Sequence, residues 1–331
     1  MVKAKILQLL RQNEGYVSGQ DICQMLGVSR TAVWKAIKQL KDAGYEIDAI
    51  QNKGYHLSYA PDRLTDNELY SIKKTGFTGS QIFYYEEVDS TNNAAKRLAD
   101  EGAPHGSIVI ADIQNAGKGR RGRTWNSPPM EGIWFTILLK PEIHPGHASM
   151  LTLVMAIAVT KGILHYTGLA PMIKWPNDIV LDSKKVCGIL TEMSIQMDDV
   201  NHIIVGAGIN VHNIFFPKEI EETATSLYIE MQKQNIDKKV IRAELLSVIL
   251  EEFENYYEIF CKTEDLSAIY EEYNRYLVNK GREVKIIEPK NEYKAKALGI
   301  NQIGELIIDK DGEQKKISSG EVSVRGIYGY I

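Results

Sequence analysis

Seven consecutive residues, Gly117-Lys118-Gly119-Arg120-Arg121-Gly122-Arg123, set four cations among three glycines. Such a run cannot serve as a core element. Glycine lets backbone N–H groups come close to a ligand, and Lys and Arg supply charge for a carboxylate or a phosphate. The residues leave two readings open: an anion-binding loop, or a flexible basic surface loop. The run also spells G-x-G-x-x-G. A dinucleotide fold needs a helix to follow, and Thr124-Trp125-Asn126-Ser127-Pro128-Pro129 is not one. No G-K-[ST] is present, so the P-loop pattern fails as well.

Two further segments could carry chemistry. In Lys174-Trp175-Pro176-Asn177-Asp178 the central Trp-Pro would fix a turn that aims a cation, an amide and a carboxylate one way. An ordinary strand connection is the alternative. Gly206-Ala207-Gly208-Ile209-Asn210 ends an apolar strand, where small residues either let a ligand lie on bare backbone or mark a bulge. The seven histidines do not fall at metal-ligand spacing, and no Ser–His–Asp or Cys–His set is evident. Cys23, Cys187 and Cys261 form no C-x-x-C pair, so neither zinc nor a disulfide framework is expected, and a reducing cytoplasm fits. Chemistry by binding, orientation and charge neutralisation is the natural inference.

The elements that must position these residues follow from patterning. The 331 residues are 44% hydrophobic and 25% charged, a globular composition sufficient for two or three domains. The net charge is −4, but residues 1–60 hold six Lys and two Arg against five acidic residues, a balance of +3, leaving −7 elsewhere. A basic end on an acidic chain hints at nucleic acid. No signal peptide is read near the start, and the longest apolar stretch, 150–160, is too short for a bilayer and runs into Lys161, so no membrane role is expected.

Three zones are predicted, and the class is α+β. In the first, 1–60, a short amphipathic helix is followed by one opened by Ser18 and stopped by Gly27. A third helix, 30–43, is capped by Ser29 and stopped by Gly44, and a hairpin follows with its turn at Asn52-Lys53-Gly54. A linker, 61–80, holds one short helix at 66–74. The second zone, 81–278, alternates strands (82–86, 107–114, 132–139, 172–175, 178–181, 185–194, 202–211) with helices (91–101, 147–167, 237–261, 264–277). Its strands near 174–194 are joined too tightly for helical crossovers and must be antiparallel. The third, 279–331, is short β throughout (283–287, 293–300, 306–310, 315–318, 323–327) and fits a five-stranded barrel.

The order of the first zone resembles the winged helix-turn-helix family of DNA-binding domains. The resemblance implies that helix 30–43 enters the major groove behind Ser29, with Arg30, Thr31, Trp34, Lys35 and Lys38 outward and Lys53 on backbone phosphate. A small helical adaptor with a solvated polar face is the alternative.

Taken with Ser90-Thr91-Asn92, Gln114, Lys185 with Gly188, and Gly320-Glu321-Val322-Ser323-Val324-Arg325, the motifs resemble the biotin protein ligases that double as biotin-operon repressors. The resemblance spans nearly the whole chain. It implies a winged helix-turn-helix, a central mixed-sheet catalytic domain of biotin/lipoate ligase type and an SH3-like C-terminal domain. Ser90, Thr91, Asn92 and Gln114, together with Gly206, would line the biotin site. Lys118, Gly119 and Arg120 would hold the biotin carboxylate and the ATP α-phosphate, joined on the nucleotide side by Arg121 and Arg123. Lys185 would neutralise charge where carboxylate meets phosphate. Trp125 would stack near adenine, and Asn177, Asn210 and Arg325 would line the nucleotide site. Lys174 would support the phosphates, and Asp178 would orient the incoming lysine or help place a metal, although no fixed protein metal site is implied. Lys118 stands where the best-known members carry Arg.

The implied reaction joins biotin to ATP as biotinyl-5′-AMP, with Mg²⁺, and then transfers biotin to a lysine of a biotin carboxyl carrier protein of acetyl-CoA or pyruvate carboxylase. The adenylate would favour a homodimer gripping operator DNA in the cytoplasm. Two rivals are a regulator that only senses biotin and a lipoate or octanoate ligase. The intact cationic sets argue against the first, and the Gly117-to-Arg123 loop against the second.

Overall fold

The computed structural model describes residues 2–196, 199–288, 291–319, 323–326 and 330–331, and the chain divides into two compact units. The first runs to Lys74 and takes in Ile241–Ser247; the second comprises Thr75–Val240 and Val248–Ile331.

In the first unit, α1 (Val2–Gln12), α2 (Gly19–Leu26) and α3 (Arg30–Asp42) precede β1 (Glu46–Ile50) and β2 (Gly54–Tyr59). Both expected caps form: Ser18 Oγ accepts from Asp21 N at 3.0 Å and Ser29 Oγ from Ala32 N at 3.2 Å. Each replaces a helical N–H partner that the first turn lacks. Gly27 ends α2 in the left-handed region at φ 65°, a conformation that costs a residue with a Cβ. Apolar residues at helical spacing, Val33, Ile37 and Leu40, meet Ile6, Leu7, Leu10 and Ile22 in one core. Val17 bridges Tyr55, which ties the segment before α2 to the hairpin.

The expected linker is a correction. Helix α4 (Asp66–Ile72) packs on α1, with Leu64 and Leu69 fully buried. Glu68, buried too, accepts from Arg11 and from Tyr45. The fully buried Arg242 donates through Nε to Asp62 Oδ2 at 3.1 Å and through its own backbone N to Asp62 Oδ1 at 3.0 Å. These partners lie 57 and 180 positions apart in the chain, beyond the reach of any local pattern.

The second unit holds a seven-stranded mixed sheet of order β3-β4-β5-β9-β8-β7-β6. Its strands are β3 (Ile82–Val88), β4 (Ser107–Gln114), β5 (Gly132–Leu139), β6 (Met172–Lys174), β7 (Asp178–Leu181), β8 (Lys184–Gln196) and β9 (Asp199–Asn210). Among the described strands of this sheet, β3 and β4 alone pair in parallel, with the helix α5 (Thr91–Asp100) between them in sequence. The β6-β7-β8 run is antiparallel, as its short connections require. The apolar stretch after Pro145 begins as a 3₁₀ turn and continues as α6 (Leu151–Thr167). Among the described residues, Pro145–Thr167 is the one helical stretch long and apolar enough to cross a membrane; 72% of its apolar window is buried inside the protein, which marks a core helix.

One helix is unexpected and two expected helices start later. An unexpected α7 (Leu227–Lys233) starts at Ser226, whose Oγ accepts from Ile229 N. Helix α8 (Arg242–Thr263) begins later than expected. The segment expected as a helix at 264–277 is helical only in α9 (Tyr270–Tyr276), because Glu264 turns left-handed and Asp265 holds a turn through Ser267 N. The last zone is a five-stranded antiparallel sheet of order β13-β12-β11-β10-β14, from β10 (Glu283–Ile287), β11 (Glu292–Ile300), β12 (Leu306–Lys310), β13 (Glu313–Ile317) and β14 (Ser323–Gly326). Among the described residues no pairing joins β13 to β14. Gly320, Glu321, Val322 and Ile327 of the sequence motifs lie outside the described residues.

Candidate functional site

One concave pocket in the second unit gathers the widely spaced motifs. Its floor is the bare backbone of Gly206, Ala207 and Gly208 on β9 with Gly188 on β8. A Cβ on Gly206 would lie 2.0 Å from Asn92 Oδ1, and one on Gly208 2.4 Å from Trp125 Nε1. The glycines are therefore a packing requirement, and the bulge reading of this stretch is excluded by the regular β8–β9 register from Cys187 to Ser194.

One wall is a hydrogen-bonded chain at the start of α5. Gln114 Oε1 accepts from Thr91 N at 2.9 Å and from Thr91 Oγ1 at 3.1 Å, and Gln114 Nε2 donates to Ser127 Oγ at 2.8 Å. Thr136, fully buried, donates to Asn92 Oδ1 at 2.7 Å. Asn92 Nδ2 donates to Glu192 Oε2 at 2.8 Å, and Lys96 Nζ donates to Glu192 Oε1 at 2.6 Å. Burial pushes the Glu192 carboxyl up, but the hydrogen bonds from Lys96 and Asn92 outweigh it and hold it below the usual range. Ser90, also buried, makes no capping bond with its hydroxyl.

The opposite wall is cationic. The basic loop is closed by Gly119 N donating to Arg123 O at 2.7 Å and Trp125 N donating to Gly117 O at 2.8 Å. Arg121 is exposed in the left-handed region at φ 58°, which turns Arg120 inward. Arg120 donates to Asn177 Oδ1 at 3.0 Å and to Ser319 O. Burial lowers its affinity for the proton, with Asp178 opposing. Lys118 Nζ donates to Asn93 Oδ1 at 2.7 Å, and Lys185 Nζ reaches Asp178 Oδ1 at 2.5 Å and stands 5.2 Å from the Trp125 ring. Burial would raise the Asp178 carboxyl; Lys185 and Lys174 overcome that and hold it below its ordinary value.

Of the residues read from sequence, the pocket brings together Ser90, Thr91, Asn92, Gln114, Lys118, Gly119, Arg120, Trp125, Asn177, Lys185 and Gly206. Arg121, Arg123 and Arg325 are exposed. Asn210 is buried and donates to Thr225 O at 3.0 Å, off the pocket wall. Lys174 is buried with Nζ 3.4 Å from the centroid of the Tyr330 ring, and burial depresses it to about 8. Sequence reasoning missed Thr136, Ser127, Glu192 and Tyr330, which bear on the site only through tertiary contacts. Glu192 was reachable, since it follows the Lys185 and Gly188 pair on the same strand. Among the described residues no three of His, Cys, Asp and Glu converge as a metal cluster.

In the first unit, Arg30, Thr31, Trp34, Lys35 and Lys38 are exposed along α3, with Lys38 Nζ 5.7 Å from the Trp34 ring centroid. Ser29 spends its hydroxyl on the helix cap, and Lys53 sits exposed in the hairpin turn.

Comparison with known proteins places this geometry. The Biotin/lipoate A/B protein ligase family pattern matches residues 84–210, an HTH domain matches 2–56, and the Biotin protein ligase C terminal domain matches 281–325. The chain is similar to a biotin protein ligase from Aquifex aeolicus solved in complex with biotin and ATP, with a TM-score of 0.63 and 30% identity over 74% of this chain and 99% of that one. The Bifunctional ligase/repressor BirA of Escherichia coli (strain K12) is 29% identical across 98% of this chain and 97% of its own. That of Bacillus subtilis (strain 168) is 37% identical and covers 98% of both chains. The chain belongs to the bifunctional ligase/repressor BirA family.

Proposed function

We propose that the chain joins biotin to ATP as biotinyl-5′-AMP, transfers it to a lysine of a biotin carboxyl carrier protein, and represses the biotin operon when the adenylate is bound. The observation that carries the ligase reading is one pocket whose hydrogen-bonding wall of Thr91, Asn92 and Gln114 faces three cations, Lys118, Arg120 and Lys185. A ureido ring needs fixed donors and acceptors, which the Gln114–Thr91 and Asn92–Glu192 bonds orient. Bringing a carboxylate onto a phosphate needs positive charge already in place.

In the first step a biotin carboxylate oxygen attacks the α-phosphorus, the bond to the bridging oxygen breaks and pyrophosphate leaves. In the second, the carrier amine attacks the anhydride carbonyl, loses a proton and releases AMP. Arg120 and Lys185 neutralise the two anions, Lys118 holds the carboxylate side, Trp125 packs beside the nucleotide, and Asp178 orients the incoming lysine. Mg²⁺ accompanies ATP. The exposed cations of α3 and Lys53 face operator DNA, and adenylate binding favours a homodimer in the cytoplasm able to hold two half-sites. Ordering of the basic loop links the activities as a population shift.

Mixing the protein with biotin, Mg-ATP and a carrier domain, and probing with streptavidin, tests the ligase; an unlabelled carrier would reject it. A gel shift on a biotin-operon promoter with and without biotinyl-5′-AMP tests the repressor; an unshifted probe in both lanes leaves the ligase alone.

A further inference from the structure

Tyr330 meets the candidate site from a segment that no motif marks. Its hydroxyl donates to Asp178 Oδ2 at 2.5 Å, while Lys185 takes Oδ1 of the same carboxylate at 2.5 Å. Both carboxylate oxygens are thus held, one from each side. The Tyr330 ring also covers Lys174, whose Nζ stands 3.4 Å from the centroid. A Cβ on Gly326 would lie 2.0 Å from Ile331 O, so the residue after Tyr330 sits against bare backbone of β14.

A carboxylate with one free oxygen can rotate about its last torsion, which is broad, and carry Lys185 with it. A second donor on the other oxygen removes that freedom. We propose that Tyr330 is a positioning residue for the adenylation step, fixing Asp178 and through it the ammonium of Lys185. The proposal rests on the ligase reading above. Tyr330 acts through Asp178 and touches neither substrate. The neighbouring cation has no comparable access: Lys174 lies beneath the ring, which accounts for its burial away from the pocket wall.

The test is biotin-dependent ATP–pyrophosphate exchange on the full chain, with Tyr330→Phe, Asp178→Asn and the double variant. Tyr330→Phe keeps the ring over Lys174 and deletes only the hydroxyl. Its kcat should fall about tenfold, the scale of one charge-assisted hydrogen bond, with KM for biotin within about twofold. In the Asp178→Asn background the same change should cost less than about twofold, because the charged acceptor is gone. A tenfold loss in both backgrounds would show a structural effect unrelated to Asp178 and overturn the proposal. So would an unchanged kcat in the single variant. Absence of exchange in the unsubstituted protein would instead defeat the ligase reading itself, so the two failures are distinguishable.

Discussion

Substituting Gly208 by alanine tests whether the pocket depends on bare backbone. The new Cβ would stand 2.4 Å from Trp125 Nε1 and 2.6 Å from Trp125 Cε2. Carbon–heavy-atom contact is comfortable near about 3.5 Å, so the overlap is about 1 Å against a flat, rigid ring. The Trp125 backbone is tied to Gly117 O at 2.8 Å, so the indole must swing or β9 must bend. Overpacking of this kind costs about 1–3 kcal/mol. Taking about 2 kcal/mol expressed at the site, biotinyl-5′-AMP should bind about 30-fold more weakly. Calorimetric titration of a stable adenylate analogue would measure this, with the thermal midpoint as a check on folding. In a Trp125→Ala background the clash is absent, so Gly208→Ala should then cost less than about threefold. Wild-type affinity in the single variant, or an equal loss in both backgrounds, would refute the idea that the indole is wedged on Gly208.

Three further outcomes follow from the same contacts. Arg120→Ala should speed adenylate dissociation by tenfold or more, the loss of at least one charged hydrogen bond of about 1.5–3 kcal/mol; an unchanged off-rate would remove Arg120 from the ligand. Lys174, held near 8 instead of its ordinary 10.5, binds fewer protons folded than unfolded between those values, so it makes stability rise with pH from about 8 to about 10.5. Urea melts of Lys174→Met against wild type should show that rise diminished in the variant, and parallel profiles would contradict the assignment. Arg242→Met removes the guanidinium donor to Asp62 Oδ2 while keeping the backbone one to Oδ1, and should lower stability by about 1.5–3 kcal/mol, with partial recovery in the Asp62→Leu, Arg242→Met double variant; a neutral single variant in a denaturant melt would refute the clamp.

The sheet strands were legible because their apolar runs end at glycine, proline or charged residues, and most expected cores coincide with the observed strands. β4 and β5 match residue for residue. Helix caps were legible because Ser18 and Ser29 act within three positions of themselves. The 61–80 segment was not, since Glu68 and Asp62 reveal their burial only through Arg11 and Arg242. The same holds at the site. The cation-rich loop could be read as an anion binder from composition, yet which of its arginines turns inward depends on the left-handed Arg121.

By itself, the sequence determined the local pieces: where helices start and which loop carries charge. Those depend on interactions a few residues long. Only the tertiary structure decided which groups share one pocket. Asn92 finds its partner Glu192 100 residues away, and Asp178 is bracketed by Lys185 and a tyrosine 152 residues distant. Such pairings are set by sheet order and register, since β8 lies beside β9 and opposite the start of α5, and no local pattern encodes that neighbourhood.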